Sequence, residues 1–130
     1  MPLRYRITKR TNNMSAEKET KFIMQAVNTG TIDLDRISYE ISNECTLSEV
    51  DVKAVLIALG AKLQQHLAEG KIVDLDYLGK FKIGFKGTSN SDSSKLSVTN
   101  IQKFYLNFQP SLKMKYWLKS GFKVYKEVKK

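Results

Sequence analysis

Between Thr46 and Glu69 the chain carries a helix that is too apolar around its circumference to stand alone in water. Val52, Val55, Leu56, Leu59, Leu63 and Leu67 recur at three- and four-residue steps, the spacing of one helical face. Ile57, Ala58 and Ala61 widen that stripe beyond what one short neighbouring helix covers. The start is marked by Thr46-Leu47-Ser48-Glu49, which reads as a capping box. The Thr46 hydroxyl accepts from a free backbone N–H, and Glu49 returns the bond. Gly70 ends the helix where a left-handed residue is needed. Any fold for this chain must bring a second apolar surface to this helix.

The flanking segments supply strands and shorter helices. Asp33 can cap a helix running to about Glu44, with Leu34, Ile37 and Ile41 on one stripe that Cys45 continues. Cys45 is therefore expected as a small buried side chain. After Gly70 the hydrophobic period falls to two. Lys71 to Leu75 reads as a strand and Tyr77-Leu78-Gly79 as a turn. Lys80-Phe81-Lys82-Ile83 alternates basic and apolar residues, so a basic face lies opposite a core face. Gly87 to Ser94 is a polar loop or the tip of an arm, and Lys103 to Phe108 is a further strand. Pro110 suits the first position of a helix through about Lys119, Gly121 its end, and Phe122 to Val128 a last strand before Lys129-Lys130.

At the N-terminus, Leu3, Tyr5 and Ile7 alternate with Arg4, Arg6 and Thr8, again a half-buried strand, followed by a Thr11-Asn12-Asn13 turn. The next segment has two readings. One is a helix capped by Ser15 with Glu17 and Glu19 in its first turn. The other, preferred, is a strand from Lys21 to Val27. The order of elements is that of an α+β domain.

Charge narrows the function. The 130 residues hold 22 Lys+Arg against 13 Asp+Glu, a net +9. Residues 1–30 carry net +4, residues 31–70 net −4 and residues 71–130 net +9. This segregation suggests one surface that faces a polyanion, backed by a different one. A single cysteine rules out an internal disulfide framework. With one histidine beside it, ligands for a structural zinc are too few. The longest apolar run, Ala54 to Leu59, is far short of a bilayer span, and the first residues hold no apolar signal core. No phosphate loop, Gly-x-Ser-x-Gly elbow or His-Glu-x-x-His is present, and His66 has no nucleophile placed beside it. The expectation is a cytoplasmic protein that is not an enzyme, with no cofactor, no metal, no membrane partner and no small-molecule substrate.

The segment from Asp33 to Ile83 resembles the bacterial histone-like HU/IHF DNA-binding proteins. It has a helix, a capped turn, a long helix, and then Glu69-Gly70-Lys71 through Gly79-Lys80-Phe81. Phe108-Gln109-Pro110, followed by a lysine-bearing helix, looks like the family's ending, so the resemblance covers about 85 residues. The N-terminal strand region, the Cys45-Thr46-Leu47-Ser48 turn and Thr99-Asn100-Ile101 look like the variant HU-like branch of Bacteroides-type bacteria.

The resemblance implies a homodimer with a helical base, a β-sheet saddle and a short β-arm, here with extra N-terminal strands. It implies one HU-like domain over residues 1–130: a strand extension (1–30), a helical base (31–70), sheet and arm (71–109), and a final helix and strand (110–130). The implied function is non-sequence-specific or weakly specific binding of duplex DNA, an architectural role in the nucleoid. No proline occurs between Phe81 and Phe108, and Ser111-Leu112 stand where the family has Gly-Lys. That favours phosphate binding over strong bending by intercalation. The alternative is an HU-like dimerisation or protein-interaction module that has lost strong DNA binding.

The expected DNA-binding residues are Lys80, Lys82 and Lys86 on the alternating strand, Lys95 and Lys103 beside the loop, and Lys113 and Lys115 on the last helix. Arg4 and Arg6 either extend this patch or form a solvated edge. Phe81, Phe108, Tyr116 and Trp117 are expected to pack rather than stack on bases. Asp74 and Asp76 read as an exposed acidic pair near a turn, not a cation site.

Overall fold

The computed structural model describes residues 2–12 and 19–128, which form two compact units. The expected Ser15 cap, Asn13 and Lys129-Lys130 lie outside the described residues.

The larger unit, Leu34–Lys119, holds the helices α1 (Leu34–Ser42), α2 (Glu49–Ala68) and α3 (Leu112–Lys119). It also holds a sheet of β3 (Val73–Asp74), β4 (Gly79–Gly87) and β5 (Ile101–Pro110) in that spatial order. The strands are numbered in chain order. β1 (Leu3–Asn12), β2 (Glu19–Val27) and β6 (Val124–Lys126) belong to the smaller unit, residues 1–33 and 120–130. In it β1 lies between β2, antiparallel, and β6, parallel. The chain is thus α+β, as expected. The ambiguous segment is a strand, and β1 runs on through Thr11 and Asn12 where a turn was expected.

Two helix boundaries differ from the sequence expectation. Ser48, not Thr46, caps α2: its backbone is extended and its hydroxyl accepts from the Asp51 N–H at 3.2 Å. Both residues can cap, but Ser48 sets Glu49 and Asp51 in the first turn, where the helix dipole favours carboxylates. Pro110 is the last residue of β5 rather than the first of α3. β5 is an edge strand, where a missing N–H costs nothing. Ser111 takes the capping position instead, its hydroxyl accepting from the Met114 N–H at 3.1 Å and donating to the Tyr77 carbonyl at 2.9 Å. At the other end of α2, Gly70 has φ +82°, as its place after the helix requires.

α1 packs on α2, and the small Ser38 is fully buried with its hydroxyl donating to the Leu34 carbonyl at 2.8 Å. Beyond that, little is covered. Among the described residues only Val52 (4% exposed) and Leu67 (9%) are buried apolar side chains. Val55 and Ile57 of the broad α2 stripe are exposed, as are Tyr116, Trp117 and Phe108, which were expected to pack. Cys45 is also exposed: α1 ends at Ser42, so the residue leaves the helical stripe it was expected to continue. Among the described residues, the apolar faces of the larger unit's helices and ribbon are thus left largely uncovered.

Ser48→Ala should lower stability by about 1 kcal/mol. Thr46→Ala should change it much less, and equal losses in a denaturant titration would contradict the observed cap. Gly79 sits at φ +155°, and a Cβ there would collide with the Gln109 carbonyl and lie 2.7 Å from the Phe108 ring. Gly79→Ala is expected to cost about 2–3 kcal/mol by the same titration.

Candidate nucleic-acid interface

The period of two in Lys80-Phe81-Lys82-Ile83 becomes a two-faced ribbon once β5 is paired with it. The antiparallel register sets Phe81 beside Phe108, Ile83 beside Leu106 and Phe85 beside Phe104. Ring centroids are 5.1 Å apart in the first pair and 6.1 Å in the third, the spacing of favourable aromatic contacts. The opposite face carries Lys80 beside Gln109, Lys82 beside Asn107, Gly84 beside Tyr105 and Lys86 beside Lys103. β3 pairs only with Lys80 and Phe81, so from Lys82 onward β4 and β5 form a two-stranded arm. Both faces are largely open to solvent.

Four of the seven expected lysines, Lys80, Lys82, Lys86 and Lys103, therefore share one face. The structure brings Lys86 directly opposite Lys103 across the ladder, where like charges oppose pairing. Lys113 and Lys115 lie elsewhere, at the start of α3. With Lys80 and Asp74 they line an open hollow of about 640 Å³ beside the β3–β4 turn. Ser111 ties the two rims together, since its N–H donates to the Leu78 carbonyl at 3.0 Å while its hydroxyl holds Tyr77. The Lys113 ammonium stands 5.6 Å from the centre of the Tyr77 ring, a cation–π contact. Asp74 and Asp76 are exposed around the turn, with the Asp76 N–H donating to the Asp74 carboxylate at 3.0 Å.

Lys95 is in the arm tip, off the ribbon face, at the end of a single helical turn from Ser93. Asp92 caps that turn. Its carboxyl is held below the usual carboxylate range by the Ser94 hydroxyl and then by the Ser94 N–H. The tip also exposes Leu96 and Val98, so it has apolar side chains although it has no proline.

Counting charges alone misses the neutral residues of the lysine face, Gln109 beside Lys80 and two more. Tyr105 lies across Gly84 so closely that a Cβ there would come within 2.6 Å of its ring. Asn107 follows two residues later on the same face, beside Lys82. The available signal was a glycine inside an alternating strand, which often marks a close approach by a neighbour. It becomes readable only with the hairpin register in hand.

A family model described as an HU domain fused to wHTH, Ig or a glycine-rich motif matches residues 1–126. The chain belongs to this HU-HIG family. Among solved structures it is similar to a Bacteroides vulgatus protein that carries the provisional name of bacterial DNA-binding protein. The TM-score is 0.66 and the identity 14%, over 95% of this chain and 47% of that one. At that identity the likeness speaks to the fold, and this chain spans about half of its neighbour's length. A search of curated proteins gave no match. The HU-HIG assignment agrees with the HU-like resemblance read from Asp33–Ile83.

Lys103→Glu would replace the like-charged pair with an opposite-charged one. A higher melting temperature than wild type at low salt is expected, with the gain shrinking as salt is added. An unchanged melting temperature would mean that the two ammonium groups do not oppose the ladder.

Proposed function

We propose that this HU-HIG chain is a homodimeric architectural protein that binds duplex DNA through lysine–phosphate contacts, with little base readout. One observation carries this: the β4–β5 ribbon presents lysines on one face and bare aromatic and aliphatic side chains on the other. The phenylalanine face and the broad α2 stripe require a protein partner, and a second copy satisfies both by symmetry. The lysine face is then left to solvent and to a polyanion. Lys80, Lys82, Lys86 and Lys103 would contact backbone along the ribbon, Lys95 at the tip, and Lys113 and Lys115 beside the hollow. Tyr105 and Asn107 would add neutral contacts to sugar and phosphate. The name of the Bacteroides neighbour and the HU assignment support the same ligand. The family match spans both units, which supports reading residues 1–130 as one HU-like domain, and the nucleoid is the compartment this role implies.

The test is binding to a fluorescent random-sequence duplex across a salt series. If about six phosphates are neutralised, affinity should fall about a thousandfold between 50 and 200 mM salt. Replacing Lys80, Lys82 and Lys86 with alanine should weaken binding and flatten the salt dependence while the circular dichroism spectrum stays unchanged. Wild-type affinity in that variant would put the site elsewhere. No binding at low salt by folded wild type would favour the alternative, an HU-like module reused for protein partners. The dimer has its own readout: the thermal midpoint should rise with protein concentration. A concentration-independent midpoint would contradict it.

A further inference from the structure

The smaller unit holds a second two-faced sheet that the ribbon reading does not use. Its 44 residues include ten basic and four acidic side chains, net +6, against net +3 for the larger unit. Three of the chain's four arginines, Arg4, Arg6 and Arg10, are in β1. They occupy alternate positions of the strand, so all three fall on one face, with Thr8 completing the row. The register adds Lys21 of β2 directly opposite Arg10, and Tyr125 of β6 beside Arg4. The other face carries Leu3, Ile7, Phe22, Met24 and Val124, all exposed, Phe22 at 71% and Met24 at 67%, together with Lys9 and Lys126, while Ile23 and Val27 share the arginine face and are half-buried.

On the arginine face Arg6, Arg10 and Lys21 are exposed and Arg4 is half-buried. Arg6 is committed within the unit. Its guanidinium forms a two-pronged bridge to Glu127, both bonds at 2.9 Å, which ties the end of β6 to β1. Arg4 and Arg10 make no ion pair among the described residues. They lie six positions apart on one strand, roughly 20 Å, or about six base-pair steps of a duplex. Arginine forks suit phosphate better than a lysine ammonium does, because they donate two parallel bonds. A linear cationic row of this length complements a linear polyanion.

We infer that the arginine face of the β2–β1–β6 sheet, through Arg4 and Arg10, is a second contact surface for the duplex backbone, separate from the lysine ribbon. This rests on the duplex-DNA reading above. The experiment compares the salt dependence of duplex binding for wild type, the Lys80, Lys82 and Lys86 triple alanine variant, R4Q/R10Q and R4K/R10K. R4Q/R10Q should reduce the slope of log affinity against log salt by about 1.8 per protomer. It should do so additively with the ribbon variant, whereas R4K/R10K should keep the wild-type slope. Wild-type slope and affinity in R4Q/R10Q, with loss in the ribbon variant, would overturn this inference alone. No binding by wild type would overturn the DNA reading and this inference with it. A readout independent of variant folding is phenylglyoxal modification of the wild-type protein. Bound duplex should protect Arg4 and Arg10, and unchanged reactivity at both would overturn the inference.

Discussion

The phenylalanine face of the β4–β5 ribbon is costly to leave in water, and much of the account follows from that. A two-stranded ribbon standing alone is marginal at best, because half of its surface is apolar and its ladder is open on both edges. Here the exposed pairs are Phe85 with Phe104 and Ile83 with Leu106. Covering them with another protein surface, as proposed, would stabilise the ribbon. It also decides which side stays free, since strict alternation puts every lysine of β4 on the opposite face. In the proposed function, hydrophobic burial and ligand binding would thus be two consequences of one period-two pattern.

The lysine face has an electrostatic cost that is met by a carboxylate at one end only, where Asp74 of β3 lies opposite Lys80. Lys86 faces Lys103 across the ladder, and no acidic residue lies on the ribbon between Gly79 and Gly87 or between Ile101 and Pro110. A surface selected only for solubility would mix signs. Where the protein does neutralise a cation, it does so locally and for structural ends, as in the Arg6–Glu127 bridge or the Asp35–Lys53 pair between α1 and the first turns of α2. Unmatched lysines on an open face are better explained by a polyanion that supplies the missing charge from outside.

Much of this was legible in the sequence because it depends on local pattern. Alternation in Leu3–Arg10 and Lys80–Ile83, the broad stripe on α2 and the stop at Gly70 each report a period or a backbone requirement that neighbours cannot disguise. What escaped depends on pairing. Thr46 and Ser48 both have the hydroxyl a cap needs, and Ser48 takes the place expected of Thr46. Pro110 looked like a helix start because its edge-strand position is visible only once β5 is placed in the sheet. Tyr105 and Asn107 join the lysine face through a register that runs across a 13-residue connection from β4 to β5. Cys45 was expected to continue the α1 stripe, but α1 ends at Ser42, and Phe108 was expected to be covered because its neighbours are apolar, whereas periodicity tells which face a residue is on, not what covers it.

The central claim is that the two faces of the ribbon have different partners. Lysine acetylation footprinting with and without duplex DNA tests it most directly, since it reads every lysine of the native protein in one experiment. The account predicts strong protection at Lys80, Lys82, Lys86 and Lys103, and unchanged reactivity at the exposed Lys62 of α2. Equal protection of all lysines, or protection at Lys62 with none on the ribbon, would contradict it.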